Sequence, residues 1–158
     1  MKRTFIAAGL AVVLSAYGSP GKSANTTGNP FLTEFATPFG VPPFDKITLA
    51  DYKPAFLQGM KEQKLEIDAI VNQRSVPDFE NTIVALDQSG KLLKRVSSVF
   101  YGQNSVNTND EMQALSRELS PLLSKHSDDI SLNPALFARV KAVYDNQAKF
   151  NLDKEQKK

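Results

Sequence analysis

Met112-Gln113-Ala114-Leu115-Ser116-Arg117-Glu118-Leu119-Ser120-Pro121-Leu122 is the stretch that decides the fold class. Its apolar residues Met112, Leu115, Leu119 and Leu122 recur in alternating steps of three and four. That spacing lines one side of a helix with the ridge used in helix-on-helix packing. Thr108 with Glu111 offers a capping box at the front of this helix. Pro121 removes one backbone donor and predicts a kink near its end.

Working outward, the same pattern repeats. Asn133-Pro134 reads as a cap and first-turn pair for a helix carrying Phe137, Val140 and Tyr144. Asp78 reads as the cap of a helix with Phe79, Ile83, Leu86, Leu93 and Phe100 on one face. Asp51 reads as the cap of the first helix, with Pro54 in its first turn and Tyr52, Phe56, Met60, Ile67 and Ile70 recurring to about Asn72. Gly59 and Gly90 then fall inside helices, where glycine costs about 1 kcal/mol relative to alanine and points either to close helix contact or to functional flexibility. No stretch of 51–150 alternates with period two for long enough to suggest a strand. The connections are short, which favours antiparallel neighbours. The class is all-α, with about four helices in antiparallel hairpins. Asn151-Leu152-Asp153-Lys154-Glu155 reads either as the start of an incomplete fifth helix or as a frayed polar tail.

The front of the chain has a different character. Residues 1–16 read as a signal peptide: Lys2 and Arg3 supply the positive end and Phe5 to Leu14 a short apolar run. That run is shorter than the roughly 20 residues a membrane-spanning helix needs. Leu14-Ser15-Ala16 followed by Gly18-Ser19 resembles a bacterial lipobox, but the position of the lipidated cysteine holds Tyr17. A phenol forms no thioether, so the expected product is exported to the periplasm or cell envelope without a lipid or other stable membrane anchor. Residues 17–30, rich in Gly, Ser, Asn and Thr, read as a flexible linker. A Pro/Phe-rich extended arm follows, in which Phe31, Phe35, Phe39 and Phe44 call for burial against a neighbour. The segment 31–158 as a whole is one helical domain.

Composition narrows the function classes. Hydrophobic residues make up 41% of the 158 and charged residues 23%, values ordinary for a globular chain. Without Lys2 and Arg3 the 19 basic residues fall to 17, equal to the 17 acidic ones. That balance, without basic clusters, gives no electrostatic case for nucleic acid as a partner. The absence of cysteine rules out disulfides and thiolate chemistry.

Catalytic chemistry is equally constrained. His126 is the single histidine. A catalytic zinc site takes about three protein ligands, and the usual peptidase motif needs two histidines one helical turn apart. A metal role for His126 with Asp128 and Asp129 competes with the plainer reading of a partly buried, locally bonded helix histidine. Ser97, Ser98 and Ser105 lack a neighbouring histidine and a nucleophile-elbow sequence. Glu62 and Glu66, one turn apart, read as a solvated face rather than a glycosidase dyad.

Several segments in order carry a family resemblance. Asn29-Pro30-Phe31, Thr37-Pro38-Phe39-Gly40-Val41-Pro42-Pro43-Phe44-Asp45-Lys46-Ile47 and Tyr52 to Met60 resemble the start of bacterial peptidyl-dipeptidases, members of the thimet-oligopeptidase-like zinc metallopeptidases. Phe79-Glu80-Asn81-Thr82-Ile83-Val84-Ala85-Leu86, Glu118 to His126 and Leu136-Phe137-Ala138-Arg139-Val140 continue the likeness. The resemblance implies a much longer helical enzyme with a deep channel, these helices forming part of one wall. It implies zinc bound by H-E-x-x-H plus a downstream Glu, and release of dipeptides from the C-termini of oligopeptides. No such motif occurs in this sequence, so no catalytic, cofactor or metal residue carries over, and the expected product is a truncated fragment, inactive alone. Two alternatives stay open. One is a stand-alone helical peptide- or protein-binding module of the cell envelope; the other is a subunit that joins a separately encoded catalytic part.

Overall fold

A computed structural model describes residues 28–150 and 152–156. The expected signal segment, Tyr17 and all but the end of the linker lie outside them. Every regular element among the described residues is helical: α1 (Leu49–Asn72), a π-helical stretch (Phe79–Val84) running into α2 (Ala85–Gln88), α3 (Lys91–Val106), α4 (Asp110–Ser131) and α5 (Pro134–Asp145). Short 3-10 turns occur at Pro30–Leu32, Pro38–Gly40 and Gln147–Lys149. The all-α class is as expected; several boundaries are not.

Helix α1 begins before Asp51. Thr48 is its cap, and the Asp51 carboxylate accepts from the Thr48 backbone N–H at 2.8 Å and from its hydroxyl at 2.7 Å. Asp51 is therefore the third residue of a capping pair, and Pro54 lies beyond the first turn. Asp78 caps as expected, accepting from Asn81 N–H at 2.7 Å while the Asn81 side chain accepts from Asp78 N–H at 3.1 Å. The helix expected to continue from there breaks at Ser89-Gly90. Gly90 sits outside α-helical geometry at φ +70, a left-handed conformation that L side chains disfavour, and α3 starts afresh behind it. Asn109, not Thr108, caps α4 by accepting from Met112 N–H at 2.8 Å, and the Thr108 hydroxyl donates instead to Asn104. Asn133 caps α5 as expected, accepting from Ala135 and Leu136 N–H.

Packing directions follow from residue pairs. Tyr52 meets Phe100, Gly59 meets Leu93 and Gln63 meets Ser89 and Gly90, so α1 and α3 run antiparallel. Lys53 pairs with Glu118 and Gln63 with His126, so α4 runs parallel to α1 and completes an up-down-up arrangement. Helix α5 packs on the far end of α1, where Leu136 joins Ile67 and Ile70. The main core gathers Phe31, Tyr52, Ala55, Phe56, Val96, Phe100, Met112 and Leu119, with Phe56 and Phe100 edge to face at 5.5 Å between ring centres. Gly59 makes this approach feasible: a methyl group there would stand 2.9 Å from the Leu93 backbone.

Three side-chain expectations need correction. In the arm, Phe31 is fully buried and Phe35 half-buried, but Phe39 is 103% exposed and Phe44 49%. The arm docks at its first turn and is then directed outward by the turn at Pro38–Gly40, where Phe39 itself is left-handed (φ 59). On α4, Leu122 is 40% exposed, and Leu123, four residues on from Leu119, packs on the core instead. On α5 the buried face is Leu136, Arg139 and Val143, while Phe137 and Tyr144 face outward. Past α5, Asp153 accepts from Glu155 and Gln156 N–H while Gln156 accepts from Asp153 N–H. This is the cap chemistry of a helix start, though residues 154–156 form only a turn.

Candidate functional site

A polar chain crosses the molecule where α3 begins. The His126 Nε2–H donates to Gln63 Oε1 at 2.8 Å, tying α4 to α1. Gln63 Nε2 reaches the Ser89 hydroxyl at 3.3 Å, and that hydroxyl donates to Leu86 C=O at 2.7 Å. Glu66 accepts from Gly90 N–H at 2.7 Å, placing a carboxylate at the N-terminus of α3, where the helix dipole favours it. Burial pushes the His126 imidazole below its ordinary value of 6.5, opposed by the Asp129 carboxylate nearby. His126 is thus bonded across helices, not locally as expected. Glu66 is exposed and Glu62 partly so, as on a solvated face, and each also has a partner: Glu62 accepts from Gln58, and Glu66 holds the break at Gly90.

The residues present do not fit a zinc centre. His126 is engaged by Gln63, and Asp129 is paired with Lys125 at 2.7 Å. Among the described residues no group of three or more His, Asp or Glu side chains is placed to hold a metal ion. Ser97 and Ser98 lie on α3, and the Ser105 hydroxyl donates to Gly102 C=O; the structure brings none of them to His126. No described helix is long and apolar enough to cross a membrane.

A buried cation was not foreseen. Arg139, 8% exposed, donates to Gln73 C=O and Ser75 C=O at 3.3 Å, to Asn81 Oδ1 at 3.0 Å and to Thr82 Oγ at 3.4 Å. It holds α5 against the connection leading into the π-helical stretch. Arg95 does similar work for the arm, donating to Phe31 C=O and lying over the Phe35 ring at 5.3 Å. In the sequence both arginines look like ordinary surface charges; only the carbonyls opposite reveal their role.

A groove of about 1050 Å³ lies between α1 and α4. Leu49, Ala50, Pro54, Leu57, Ala114 and Leu115 give it an apolar floor. Lys53 and Lys61 stand on the α1 wall, Glu111 and Glu118 on the α4 wall. This cleft can receive an apolar, helix-sized object, and it holds no arrangement of nucleophile and base.

Comparison with known proteins joins these features to a longer chain. Dipeptidyl carboxypeptidase of Salmonella typhimurium is 47% identical over 127 residues, covering 80% of this chain and 19% of the relative. Its Escherichia coli counterpart is 47% identical over 130 residues, 82% of this chain and 19% of that protein. The chain is homologous to the N-terminal part of bacterial dipeptidyl carboxypeptidases. Oligopeptidase A of Escherichia coli is similar at a greater distance, 28% identical over 130 residues. The chain spans about a fifth of the length of the dipeptidyl carboxypeptidases it matches. No family profile matches it.

Proposed function

We propose that this chain supplies the N-terminal helical wall of a zinc-dependent peptidyl-dipeptidase, and that zinc and hydrolysis come from a part of the protein outside these helices. The observation that carries this reading is 47% identity over 130 residues with a stretch amounting to 19% of a dipeptidyl carboxypeptidase. The lone, already engaged His126 supports placing the metal elsewhere. In this reading the substrate of the assembled enzyme is an oligopeptide that loses its C-terminal dipeptide. The leader exports the chain to the periplasm or envelope, and Tyr17 leaves it without a lipid anchor. An intact mass free of acyl groups is the expected result for the exported chain.

The test is complementation. The full chain is mixed with Escherichia coli dipeptidyl carboxypeptidase deprived of its 130 matched residues, and dipeptide release from an oligopeptide is followed. Neither partner alone is expected to act, and the mixture is expected to release dipeptides. A second reading, a stand-alone binding module of the envelope, is favoured by one observation: Phe31, Phe56, Phe100 and Leu119 are fully buried without any other chain. A monodisperse, cooperatively melting chain that binds oligopeptides and yields no complementation would decide for it.

A further inference from the structure

We propose that the α1/α4 groove is the seat of one amphipathic helix from the remaining part of a dipeptidyl carboxypeptidase-type protein. This deepens the preceding reading and rests on it. The groove is lined by α1 and α4 alone; no other described element covers it. From Leu49 to Lys61 it runs along α1 for roughly 18 Å, about three helical turns.

Its surface chemistry specifies the occupant. Ala50 and Ala114 are small and exposed, so a helix can come close to both walls. Leu57, 44% exposed, stands ready for burial between them. Pro54, on the same wall, has no N–H to offer the carbonyl of Ala50, its normal helical partner. Charge sets the orientation about the helix axis. Lys53 and Lys61 favour acidic residues along one flank of the occupant, and Glu111 and Glu118 favour basic residues along the other. Lys53 and Glu118 meanwhile pair with each other across the groove, and both are about half exposed. Among the described residues Lys61 and Glu111 form no ion pair. The source of the occupant follows from length: about four-fifths of each dipeptidyl carboxypeptidase lies outside the matched segment.

The experiment replaces the 130 matched residues of the Escherichia coli enzyme by the corresponding part of this chain. Leu57→Asp and Ala114→Asp are then compared in the chimera and in the full chain alone, with Phe137→Asp on the outward face of α5 as control. Both groove positions are exposed in the chain, so there each substitution is expected to move the melting temperature by less than about 2 °C. In an active chimera, where the groove is filled, each is expected to lower it by about 5 °C or more, because a carboxylate is then stripped of water against the apolar floor. Equal shifts in the two settings would overturn the groove assignment while leaving the preceding reading intact. A chimera that folds but releases no dipeptides would instead overturn that reading, and the groove assignment with it. Sedimentation of the chain alone checks the remaining occupant: a dimer dissociated by Leu57→Asp would assign the groove to a second copy and refute the proposal.

Discussion

Replacing Gly59 by alanine tests the packing on which the whole arrangement depends. Alanine is the better helix former, so the substitution by itself should stabilise α1 by about 1 kcal/mol. Against that stands geometry: the added methyl would lie 2.9 Å from both the Cα and N of Leu93, and 3.1 Å from its Cβ. These are mostly backbone atoms of α3, which yield only if the helices separate. Overpacking of this kind costs about 1–3 kcal/mol, and the rigid neighbour places it at the upper end. The net expectation is a loss of about 1–2 kcal/mol, or a melting temperature lower by roughly 4–8 °C. Gly102 supplies the internal control, because it lies within α3 and nothing approaches its added methyl within 4 Å. There alanine should gain about 0.5–1 kcal/mol. Thermal and chemical unfolding of the two variants should therefore move in opposite directions. Equal stabilisation by both would refute the close α1–α3 contact.

Other outcomes follow from the polar contacts. His126 should titrate below 6.5 by NMR, where its resonance is unambiguous because the chain has one histidine. Since the folded value is depressed, the stability His126 contributes is fully present above 6.5 and is lost as pH falls through the lower folded value; His126→Gln should flatten that part of the profile. A midpoint at or above 6.5 would contradict the burial of the His126 ring. Arg139→Ala should cost about 2–4 kcal/mol in denaturant unfolding, because it removes a buried side chain together with its bonds to Gln73, Ser75, Asn81 and Thr82. Faster hydrogen exchange should accompany it through residues 73–82. Asp78→Ala should cost about 1 kcal/mol through loss of the Asn81 N–H bond.

Local chemistry made much of this fold readable. Asp78 and Asn133 cap where their short acceptor side chains precede an apolar period, and Met112 and Leu119 are buried as the spacing of the α4 stripe requires. Readings failed where two local solutions differ by small margins and a distant residue chooses. Thr108 and Asn109 are adjacent cap candidates, and the Asn104 side chain draws the threonine hydroxyl away. On α5 the stripes Phe137–Val140–Tyr144 and Leu136–Arg139–Val143 have the same period; the larger residues suggest the first. The carbonyls of Gln73 and Ser75 select the second by demanding a cation. At Gly90 the pattern of Leu86, Leu93 and Phe100 runs across the break, so periodicity alone hides it, and Glu66 from another helix secures it. The engagement of His126 by Gln63, 63 positions away in sequence, leaves no local mark either.

The claim that these helices form a wall, with the metal chemistry elsewhere, is tested most directly by the purified full chain in excess zinc, after removal of loosely bound ions. The expected result is zinc well below one ion per chain and no dipeptide release from an oligopeptide. One tightly held zinc ion per chain with dipeptide release that co-purifies with the protein and is abolished by His126→Gln would contradict it.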